Sequence, residues 1–296
     1  MELAIHNWMR AEPIETTIKR IARLGYHKLE IQGEPGSYDT QKIGKLLKDH
    51  GIGCWGSVTL MMEERNLLAA DEDQRAMSIQ YVKDVVKMVK ELNGTMVSVV
   101  PGTVGKLVPD GRPEEEWEWA VSSMKEIYDY AESQEILIGI EPINRFETYF
   151  INRGDQALAL AKEVGPNCGV CLDVFHMNIE EEDIYDAILR AKGRINGIHV
   201  ADNNRMAPGM GKLNWPKIMD TVKEAGFDGA ISVEFCSPVD RTPANPYINS
   251  IDEKPEGLSA EQKKFIEDHG STSVSEEFYT ELTKRSAEKL LPLING

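Results

Sequence analysis

Residues 136–142, which read ILIGIEP, form a short apolar run that leads to the carboxylate of Glu141. Three later segments share this layout and also lead to a side chain that can bind a metal ion: 168–174 (CGVCLDV, with Asp173), 195–201 (INGIHVA, with His199) and 229–235 (GAISVEF, with Glu234). Short runs rich in branched apolar residues are typical of buried β-strands. The sequence therefore predicts four strands, each with a metal-ligating residue at its carboxyl end.

The side chains of these segments alternate between two chemical types. Residues two positions before the ligands are small, and residues one position before them are branched and apolar: Gly139, Cys171, Gly197 and Ser232 in the first set, Ile140, Leu172, Ile198 and Val233 in the second. Alternate side chains of a strand point to opposite faces. If the apolar faces contact surrounding helices, the ligand faces converge on one axis. This pattern predicts a metal site at the mouth of a barrel.

Strand-like runs alternate with helix-like stretches along the whole chain. The strands are expected at residues 3–8, 28–32, 52–58, 96–100, 136–142, 168–174, 195–201 and 229–235. Glycines after several helix-like stretches predict left-handed helix ends, at Gly25, Gly51, Gly94, Gly165 and Gly226. The alternation predicts an α/β protein, a single (β/α)8 TIM barrel domain over residues 1–296. The alternative, an open doubly wound sheet, would not gather four adjacent strand ends around one point.

A long segment, residues 236–273, separates the eighth predicted strand from the last helix, and we call it the arm. It contains a short predicted helix from Ser259, whose capping box is completed by Gln262. Loops of this length are uncommon unless they are functional or disordered. Because the arm follows a strand, it emerges on the face that carries the ligands. We expect it to be a lid, a subunit contact or a partner-binding arm.

Composition excludes several classes of protein. The 296 residues include 33 Lys and Arg against 49 Asp and Glu, a formal net charge of -16, and no basic stripe for a nucleic acid is visible. The chain has no signal-peptide pattern and no apolar run long enough for a membrane span, so we expect a cytoplasmic protein.

The four cysteines do not indicate a metal site. Cys168 and Cys171 lie on one predicted strand with their side chains on opposite faces, so they cannot bind the same ion. We expect all four cysteines to be ordinary reduced residues.

The ligand set indicates which metal ion would bind. Three carboxylates and one imidazole form a mostly hard, oxygen-rich set, which suits Mn²⁺, Mg²⁺ or Co²⁺ better than structural zinc. Four protein ligands also leave coordination positions for two oxygens of a substrate. The sequence therefore predicts one divalent ion, with Mn²⁺ as the first choice.

The residues around these ligands resemble one enzyme family. The matching motifs are 141–147 (EPINRFE), 173–181 (DVFHMNIEE), His199 with Arg205 six residues later, and Glu234. They resemble the ketose 3-epimerases, the group of D-tagatose and D-allulose 3-epimerases within the xylose-isomerase-like TIM barrel superfamily. The resemblance covers residues 1–235, nearly the whole predicted barrel.

The resemblance implies roles for individual residues. Glu141, Asp173, His199 and Glu234 would bind the metal, Glu147, His176 and Arg205 would bind the hydroxyls near the carbonyl of a small sugar, and Gly209, Gly211 and Trp215 would belong to the loop that follows. It also implies a homodimer or homotetramer. The alternative for Arg205 and Glu147 is an ordinary surface ion pair.

The chemistry of an epimerase fits these residues. A hydrogen next to a ketone is too weakly acidic for an unaided carboxylate, and a divalent ion that chelates the ketone and neighbouring hydroxyl oxygens stabilises the enediolate by several kcal/mol. Epimerisation also needs a base on one face and an acid on the other. Glu141 and Glu234 come from the fifth and eighth predicted strands, and we expect them to approach the sugar from opposite sides.

Other functions share the barrel and ligand set. An inosose dehydratase would use the same proton abstraction to lose water, and the catalytic subunit of a C-glycoside deglycosidase would work with a small partner subunit. A DNA-repair endonuclease of the related barrel type would need more histidines than the six present. A sugar-binding module without catalysis would not need two bases beside a metal. His6, Trp8 and Trp55 are expected either to form an apolar wall against the sugar or to pack in the core.

Overall fold

The computed structural model describes residues 1–247, 249–251, 260–269 and 273–296. Within these residues, eight parallel strands close into a barrel in chain order, with β1 paired to both β2 and β8. The strands are β1 (Glu2–His6), β2 (Lys28–Gly33), β3 (Gly53–Thr59), β4 (Met96–Val99), β5 (Leu137–Ile140), β6 (Gly169–Asp173), β7 (Ile195–Val200) and β8 (Ala230–Val233). The predicted (β/α)8 barrel is confirmed, and the open sheet is excluded.

The described residues also form ten α-helices, most of which connect one strand to the next and pack on the outside of the barrel. They are α1 (Ile14–Arg23), α2 (Thr40–Asp49), α3 (Glu72–Glu91), α4 (Pro113–Ser133), α5 (Gly154–Val164), α6 (Val174–Glu180), α7 (Ile184–Arg190), α8 (Trp215–Glu224), α9 (Ala260–His269) and α10 (Glu276–Asn295). A 3-10 turn at Pro35–Ser37 precedes α2. No helix of this described set has both the length and the apolar character of a membrane span.

Helix ends follow the glycine prediction in part. Gly25, Gly51 and Gly226 have positive φ angles of 83°, 69° and 79° and end their helices as expected. The prediction is wrong at Gly94 and Gly165. After α3 the left-handed position is taken by Asn93, with φ 56°, and Gly165 is extended at φ 179°. Gly165 is small for another reason, because a Cβ there would lie 2.4 Å from the Tyr128 ring.

The strands that carry the predicted ligands are shorter than the sequence suggests. The eighth strand, expected at 229–235, ends at Val233, and the fifth ends at Ile140. Glu141 and Glu234 therefore lie just beyond their strands. Each still donates its backbone N–H to a neighbouring strand, Glu141 to the Val99 carbonyl at 2.9 Å and Glu234 to the Val200 carbonyl at 2.9 Å. Both carboxylates are thus held on the barrel rather than on free loops.

Small residues let the barrel interior close below the predicted ligands. A Cβ on Gly197 would lie 2.4 Å from the Met96 methyl group and 2.7 Å from Cys171 Sγ. Cys171 and Ser232 are fully buried, as are the apolar residues that precede the ligands. The interior is therefore filled with side chains, and the predicted ligands lie at its carboxyl end. All four cysteines are free, as expected.

The described parts of the arm show how its ends are held. Ile251 forms an isolated antiparallel bridge with Val274, and the Ser275 N–H donates to the Ser250 carbonyl at 3.0 Å. Helix α9 lies between these two points in the chain and agrees with the helix predicted from Ser259. The predicted capping box of Ser259 and Gln262 lies outside the described residues.

Candidate metal centre and active site

The structure brings the four predicted ligands together at the carboxyl end of the barrel. Glu141 and Glu234 are each 3% exposed, and Asp173 and His199 are fully buried. His199 Nδ1 lies 2.9 Å from Glu141 Oε1 and 3.5 Å from Glu234 Oε2. Asp173 and His199 are directly opposed across the β6–β7 pair. Two carboxylates from non-adjacent strands thus approach one imidazole nitrogen.

The arrangement of these side chains fits a divalent cation. Among the described residues, three overlapping groups have candidate ligand atoms within 4.8 Å of one another: His6 with His199 and Glu234, Glu141 with Cys171 and His199, and Glu141 with Asp173 and His176. The four predicted ligands are shared among these groups. Glu234 Oε2 is buried without a hydrogen-bond partner in the described part of the chain. Its contacts with His199 and Arg205, at 3.5 and 3.6 Å, are longer than hydrogen bonds, and a buried carboxylate oxygen in this state is costly unless a nearer charge compensates it.

Crowded carboxylates shift one another's pKa values. Burial, followed by the charges of Glu234 and Glu141, raises the pKa of Asp173 to about 7 despite the nearby Arg205. Burial also raises the pKa of Glu234, with a contribution from Glu141. For Glu141, burial is outweighed by the charge and hydrogen bond of His199 and by the Ser98 hydroxyl, so its pKa is lowered. A cation among these groups would offset their mutual repulsion.

Asp173 has two separate contacts because it ends β6 and begins α6. Its Oδ1 accepts the Phe175 backbone N–H at 2.7 Å, which caps the helix. Its Oδ2 lies 3.2 Å from Arg205 Nη1 and 3.5 Å from His176 Nε2. The helix start therefore fixes the orientation of the carboxylate toward the site.

His176 lies on α6, buried beside Asp173. Its Nδ1 accepts the Asn144 backbone N–H at 3.1 Å, so the ring hydrogen of the neutral imidazole is on Nε2. Burial and the charge of Arg205 lower its pKa well below the usual value, so the ring is neutral. Nε2 lies 3.5 Å from Asp173 Oδ2, which can accept its hydrogen, whereas the 3.1 Å contact with Arg205 Nη1 is not a hydrogen bond in this form of the ring because a guanidinium only donates.

Arg205 is part of the site and not of a surface ion pair. Its guanidinium lies 3.2 Å from Asp173 Oδ2 and 3.6 Å from Glu234 Oε2, and it stacks over the Phe175 ring at 4.3 Å. Its side chain is 17% exposed. The backbone at Arg205 is left-handed, with φ 59°. A residue other than glycine in this backbone conformation is strained, which indicates that contacts within the surrounding loop hold it in place.

The loop after β7 is organised by Asp202. This buried carboxylate accepts the Trp215 indole N–H at 2.9 Å and the backbone N–H groups of Gly209 and Leu213 at 2.9 and 3.2 Å. Gly211 passes so close that a Cβ would lie 2.1 Å from Asp202 Oδ1. The predicted loop residues Gly209, Gly211 and Trp215 therefore act together, through Asp202, to shape the turn that carries Arg205.

Glu147 lies at the rim of the site. Its Oε1 accepts the Asn144 side-chain amide at 2.7 Å, and its backbone carbonyl accepts the Gly105 N–H at 2.7 Å. Asn144 also contacts His176 Nδ1. Asn144 thus connects two of the three predicted sugar-binding residues, a role that sequence reasoning missed.

Two further residues contact the carboxylates and were not predicted to do so. The Ser98 hydroxyl of β4 donates to Glu141 Oε2 at 2.6 Å. The Trp8 indole N–H, just after β1, donates to Glu234 Oε1 at 3.1 Å. Each candidate base therefore has one oxygen held by a neutral donor. Because both donors lie far along the chain from their partners, no local pattern identifies them.

Two further buried polar residues, Glu30 and His6, contact His199. Glu30 of β2 is fully buried, and its Oε1 lies 3.1 Å from His199 Nε2. The His6 ring contacts the His199 ring edge to face, with centroids 4.5 Å apart. Sequence reasoning missed Glu30, although a glutamate between Leu29 and Ile31 was a visible signal.

The structure places the three aromatic residues whose roles were undecided, His6, Trp8 and Trp55, in different parts of the barrel. Trp8 lies at the site, and His6 lies beneath it. Trp55 is at the opposite end of the barrel, where it packs against Phe227 with ring centroids 6.5 Å apart and closely approaches Gly229. Trp55 is therefore a core residue and not part of a sugar-binding wall.

A cavity of about 110 Å³ opens beside the candidate ligands. Its polar part includes Glu141, Glu234, Glu147, His176 and Arg205. Its apolar part comes from the loops after β3, β4 and β5, through Leu60, Met61, Met62, Val100, Val104 and Ile143. The cavity thus joins a charged floor to an apolar wall.

The arm begins beside this cavity. The Cys236 backbone N–H donates to the Arg205 carbonyl at 2.7 Å. On α9, Lys264 Nζ lies 3.9 Å from Glu63 Oε1, in the loop after β3. Residues 60–62 of that loop line the cavity. No described residue of the arm is itself part of the lining.

The sequence is similar to those of several known proteins. A family model described as xylose isomerase-like TIM barrel matches residues 18–269. The D-psicose 3-epimerase of Ruminiclostridium cellulolyticum is 31% identical over 230 residues, which cover 73% of this chain and 76% of that protein. The L-ribulose 3-epimerase of Mesorhizobium japonicum is 26% identical over 226 residues, which cover 76% of each.

Solved structures give the same fold. A crystal structure of the D-psicose 3-epimerase with D-tagatose from Clostridium cellulolyticum H10 superposes with a TM-score of 0.81, covers 99% of each chain and shares 23% sequence identity. At this identity the structural likeness establishes the barrel architecture alone.

Proposed function

Because the chain belongs to the xylose isomerase-like TIM barrel family, we propose that it is a metal-dependent epimerase acting at carbon three of a free ketose. Several of its relatives are D-psicose, L-ribulose or ketose 3-epimerases, which are isomerases. The observation that carries the proposal is the approach of Glu141 and Glu234, from β5 and β8, to the same nitrogen of His199. This convergence supports one site in which both carboxylates can reach the same substrate.

Glu141, Asp173, His199 and Glu234 would hold one divalent ion, and their oxygen-rich chemistry favours Mn²⁺, with Co²⁺ or Mg²⁺ as alternatives. When bound, such an ion would polarise the ketone and favour the negative charge that develops on its oxygen. The chain's own residues would then handle the proton transfers.

Epimerisation needs one proton removed from carbon three and one returned to its other face. One of Glu141 and Glu234 takes the proton, and the C–H electron pair moves toward the carbonyl to give an enediolate. The other carboxyl group delivers a proton to the opposite face of carbon three. The first carboxyl is left protonated and the second ionised, and exchange with water restores both. Ser98 donates a hydrogen bond to one oxygen of Glu141, and Trp8 donates one to an oxygen of Glu234. The other oxygen of each carboxyl group is therefore the one that transfers the proton.

The remaining polar residues would bind the sugar. His176 presents a neutral N–H donor, and Arg205 supplies a positive charge close to the developing negative charge. Glu147, oriented by Asn144, would accept a hydrogen bond from a hydroxyl at the rim. Together they would place carbon three between the two carboxylates.

The experiment that tests this function is incubation of the Mn²⁺-loaded protein with a panel of ketoses in D₂O. We expect deuterium at carbon three in both the substrate and its 3-epimer, because the two carboxyl groups exchange with solvent. Absence of exchange and of epimer formation for every ketose would contradict the proposal. The Glu180→Gln variant, which alters a carboxylate paired with Arg145 outside the cavity, is the matched control.

The same incubations separate the alternative functions. An inosose dehydratase-like enzyme would release water from an inosose and give an unsaturated product. The catalytic subunit of a C-glycoside deglycosidase would act on a glycoside and require a small partner subunit. Either result, without ketose epimerisation, would replace the proposed reaction and leave the metal ligands as proposed.

The proposal also covers the oligomeric state, the cellular location and the role of the arm. We expect a homodimer or homotetramer in the cytoplasm. Exposed apolar side chains near the rim support self-association, namely Leu107, Val108 and Phe146, with exposed fractions of 51%, 73% and 72%. The contact of α9 with the loop after β3 supports an arm that limits access to the mouth. Light scattering would measure the mass of the assembly.

A further inference from the structure

Glu30 is a buried acid for which the proposed reaction gives no role. It lies on β2, is fully buried, and faces the barrel interior, whereas its neighbours Leu29 and Ile31 pack in the apolar core. Its Oε1 is 3.1 Å from His199 Nε2. Its Oε2 has no hydrogen-bond partner in the described part of the chain. Its Oε2 lies 3.7 Å from His6 Nε2. Burial of a carboxylate is costly, so apolar packing alone does not explain its presence, and its shorter contact, with His199, indicates a role there.

The position of Glu30 relative to His199 is specific. It contacts Nε2, whereas Glu141 and Glu234 approach Nδ1 on the other side of the ring. A neutral imidazole has one N–H donor and one lone-pair acceptor. Glu30 at Nε2 and Glu141 at Nδ1 can each only accept, so both ring nitrogens of His199 face an acceptor. A cation bound at Nδ1 would take the place of the hydrogen there, and Glu30 would accept the hydrogen that remains on Nε2.

We propose that Glu30 is a positioning residue that holds His199 in its Nε2-protonated form, with Nδ1 directed at the metal position. The inference rests on the proposed function, because it assigns His199 as a metal ligand. Carboxylates that accept a hydrogen bond from a ligating histidine fix its tautomer and ring orientation, and their loss weakens metal binding about 10- to 100-fold. The same factor is expected here.

Two neighbours complete the arrangement. The His6 ring lies against the His199 ring at an interplanar angle of 88°, which restricts rotation of the imidazole. Cys171 Sγ is the other atom near Nε2, at 3.4 Å. Sulfur is a weak acceptor, and its distance is longer than that of the carboxylate. Glu30 is therefore the stronger partner of the two.

The test uses Mn²⁺ titration calorimetry on chelator-treated protein and ¹⁵N NMR of the histidine rings in Mg²⁺-loaded protein, because Mg²⁺ is diamagnetic and does not broaden the signals. The signals of His199 are identified by their loss in His199→Gln. We expect His199 of the Mg²⁺-loaded wild type to be protonated on Nε2 alone. Glu30→Leu removes the acceptor, so we expect about 10- to 100-fold weaker Mn²⁺ binding and a shift toward the Nδ1-protonated form.

Two more variants keep the test decisive if Glu30→Leu does not fold. A glutamine amide can donate as well as accept, so Glu30→Gln should populate both ring forms and also weaken binding. Glu34→Gln is the matched control, because Glu34 pairs with Arg65 after the same strand and should not change either measurement. Cys171→Ala should have a smaller effect than either Glu30 variant.

The outcomes distinguish this inference from the proposed function. If Glu30→Gln and any folded Glu30→Leu bind Mn²⁺ as the wild type does, with His199 still protonated on Nε2, the positioning role is wrong and the epimerase proposal stands. A larger loss in Cys171→Ala would likewise overturn it in favour of the sulfur. If the wild type itself binds no Mn²⁺, the proposed metal-dependent function fails first.

Discussion

Asp173 shows how one side chain can link local structure to the candidate chemistry. One carboxylate oxygen caps α6 through the Phe175 N–H, and the other faces Arg205 and His176. Asparagine caps helices about as well as aspartate, but it is uncharged. A substitution at this position can therefore separate the folding role from the ligand role.

We predict that Asp173→Asn folds normally but loses Mn²⁺ affinity by more than the roughly 10- to 100-fold typical of outer partners, because a charged ligand becomes neutral. Circular dichroism checks the fold and calorimetry measures the affinity. Asp183→Asn is the control, since Asp183 caps α7 through the Tyr185 N–H and lies outside the candidate site. Wild-type affinity in Asp173→Asn would remove this residue from the ligand set.

A second prediction for single residues concerns the two candidate bases. Metal-loaded Glu141→Gln and Glu234→Gln should each lose epimerase activity by about 100- to 10,000-fold, because one face of the sugar lacks its proton-transfer group. One variant should still exchange deuterium into a single epimer through the remaining carboxylate. NMR of the sugar at matched metal occupancy measures both effects. Epimerisation at the wild-type rate in either variant would exclude the two-base mechanism.

At the scale of elements, the loop after β1 is joined to two helices by a buried ion pair. Glu12 accepts hydrogen bonds from Arg20 of α1, and Arg20 Nε also donates to Thr280 of α10 at 2.8 Å. The Glu12 and Arg20 side chains are 3% and 1% exposed. The first and last helices of the barrel are thereby held together next to the closure between β1 and β8.

We predict that Glu12→Ala lowers the free energy of unfolding by up to about 3–5 kcal/mol, because the buried Arg20 charge keeps only its longer contact, 3.4 Å, with the exposed Glu276. Burial acts to raise the pKa of Glu12, but Arg20 outweighs it, and the net pKa lies below the ordinary 4.5. The stabilisation is therefore complete above about pH 4.5 and is lost as pH falls through the lowered pKa. Urea unfolding at several pH values measures this difference.

The control for this pair is Asp49→Ala, which removes an exposed partner of Lys45 on α2. Exposed pairs contribute little, so its unfolding midpoint should match the wild type. A Glu12→Ala variant that is equally unaffected at neutral pH would show that the buried pair does not hold the helices together.

The arm is the second element with a testable role. Because Ile251 and Val274 are already paired in an antiparallel bridge, a two-residue Asn-Gly turn can join them in place of residues 252–273. We expect the shortened protein to keep its barrel and its metal but to show a changed KM or a changed preference among ketoses. Steady-state kinetics across the panel measures this.

A glycine-serine linker of the original length provides the control for the shortened arm. If the arm acts by covering the mouth, the flexible linker should resemble the shortened protein and not the wild type. Unchanged kinetics in both variants would show that the arm is a passive insertion.

At the scale of the whole molecule, the candidate site uses both halves of the barrel. The four predicted ligands come from β5 to β8 or the residue that follows. Their supporting contacts come from the other half, through Trp8 after β1, Glu30 on β2 and Ser98 on β4. A cation bound at the centre would therefore connect elements from around the entire barrel.

We predict that Mn²⁺ stabilises the whole protein and that a chelator reverses the effect. At a free concentration of 100 times Kd, binding to the folded state adds about 2.7 kcal/mol, which raises the Tm of a protein of this size by about 5 °C. Differential scanning calorimetry with and without chelator measures the shift. Asp173→Asn should show a much smaller shift, and an equal shift in that variant would place the ion elsewhere.

The sequence by itself determined the barrel and the residues that the structure brings together at its mouth. Strand alternation is a local property, so the positions of Glu141, Asp173, His199 and Glu234 relative to their apolar neighbours could be read from each segment alone. Strand ends were predicted less well, because the chain can continue hydrogen bonding past a strand, as it does at Glu141 and Glu234. The predicted left-handed helix end was wrong where side-chain packing decides the backbone conformation, as at Gly165 beside Tyr128.

Only the tertiary structure decided which residues support those ligands. Glu30 and His199 are 169 positions apart, and Trp8 and Glu234 are 226 apart. Their contacts depend on closure of the barrel between β1 and β8 and on the register of each strand pair, including the shift between Leu29 and Glu30. The same closure places Trp55 at the far end of the barrel. Register and closure are set by packing between distant segments, so no local pattern in the sequence records them.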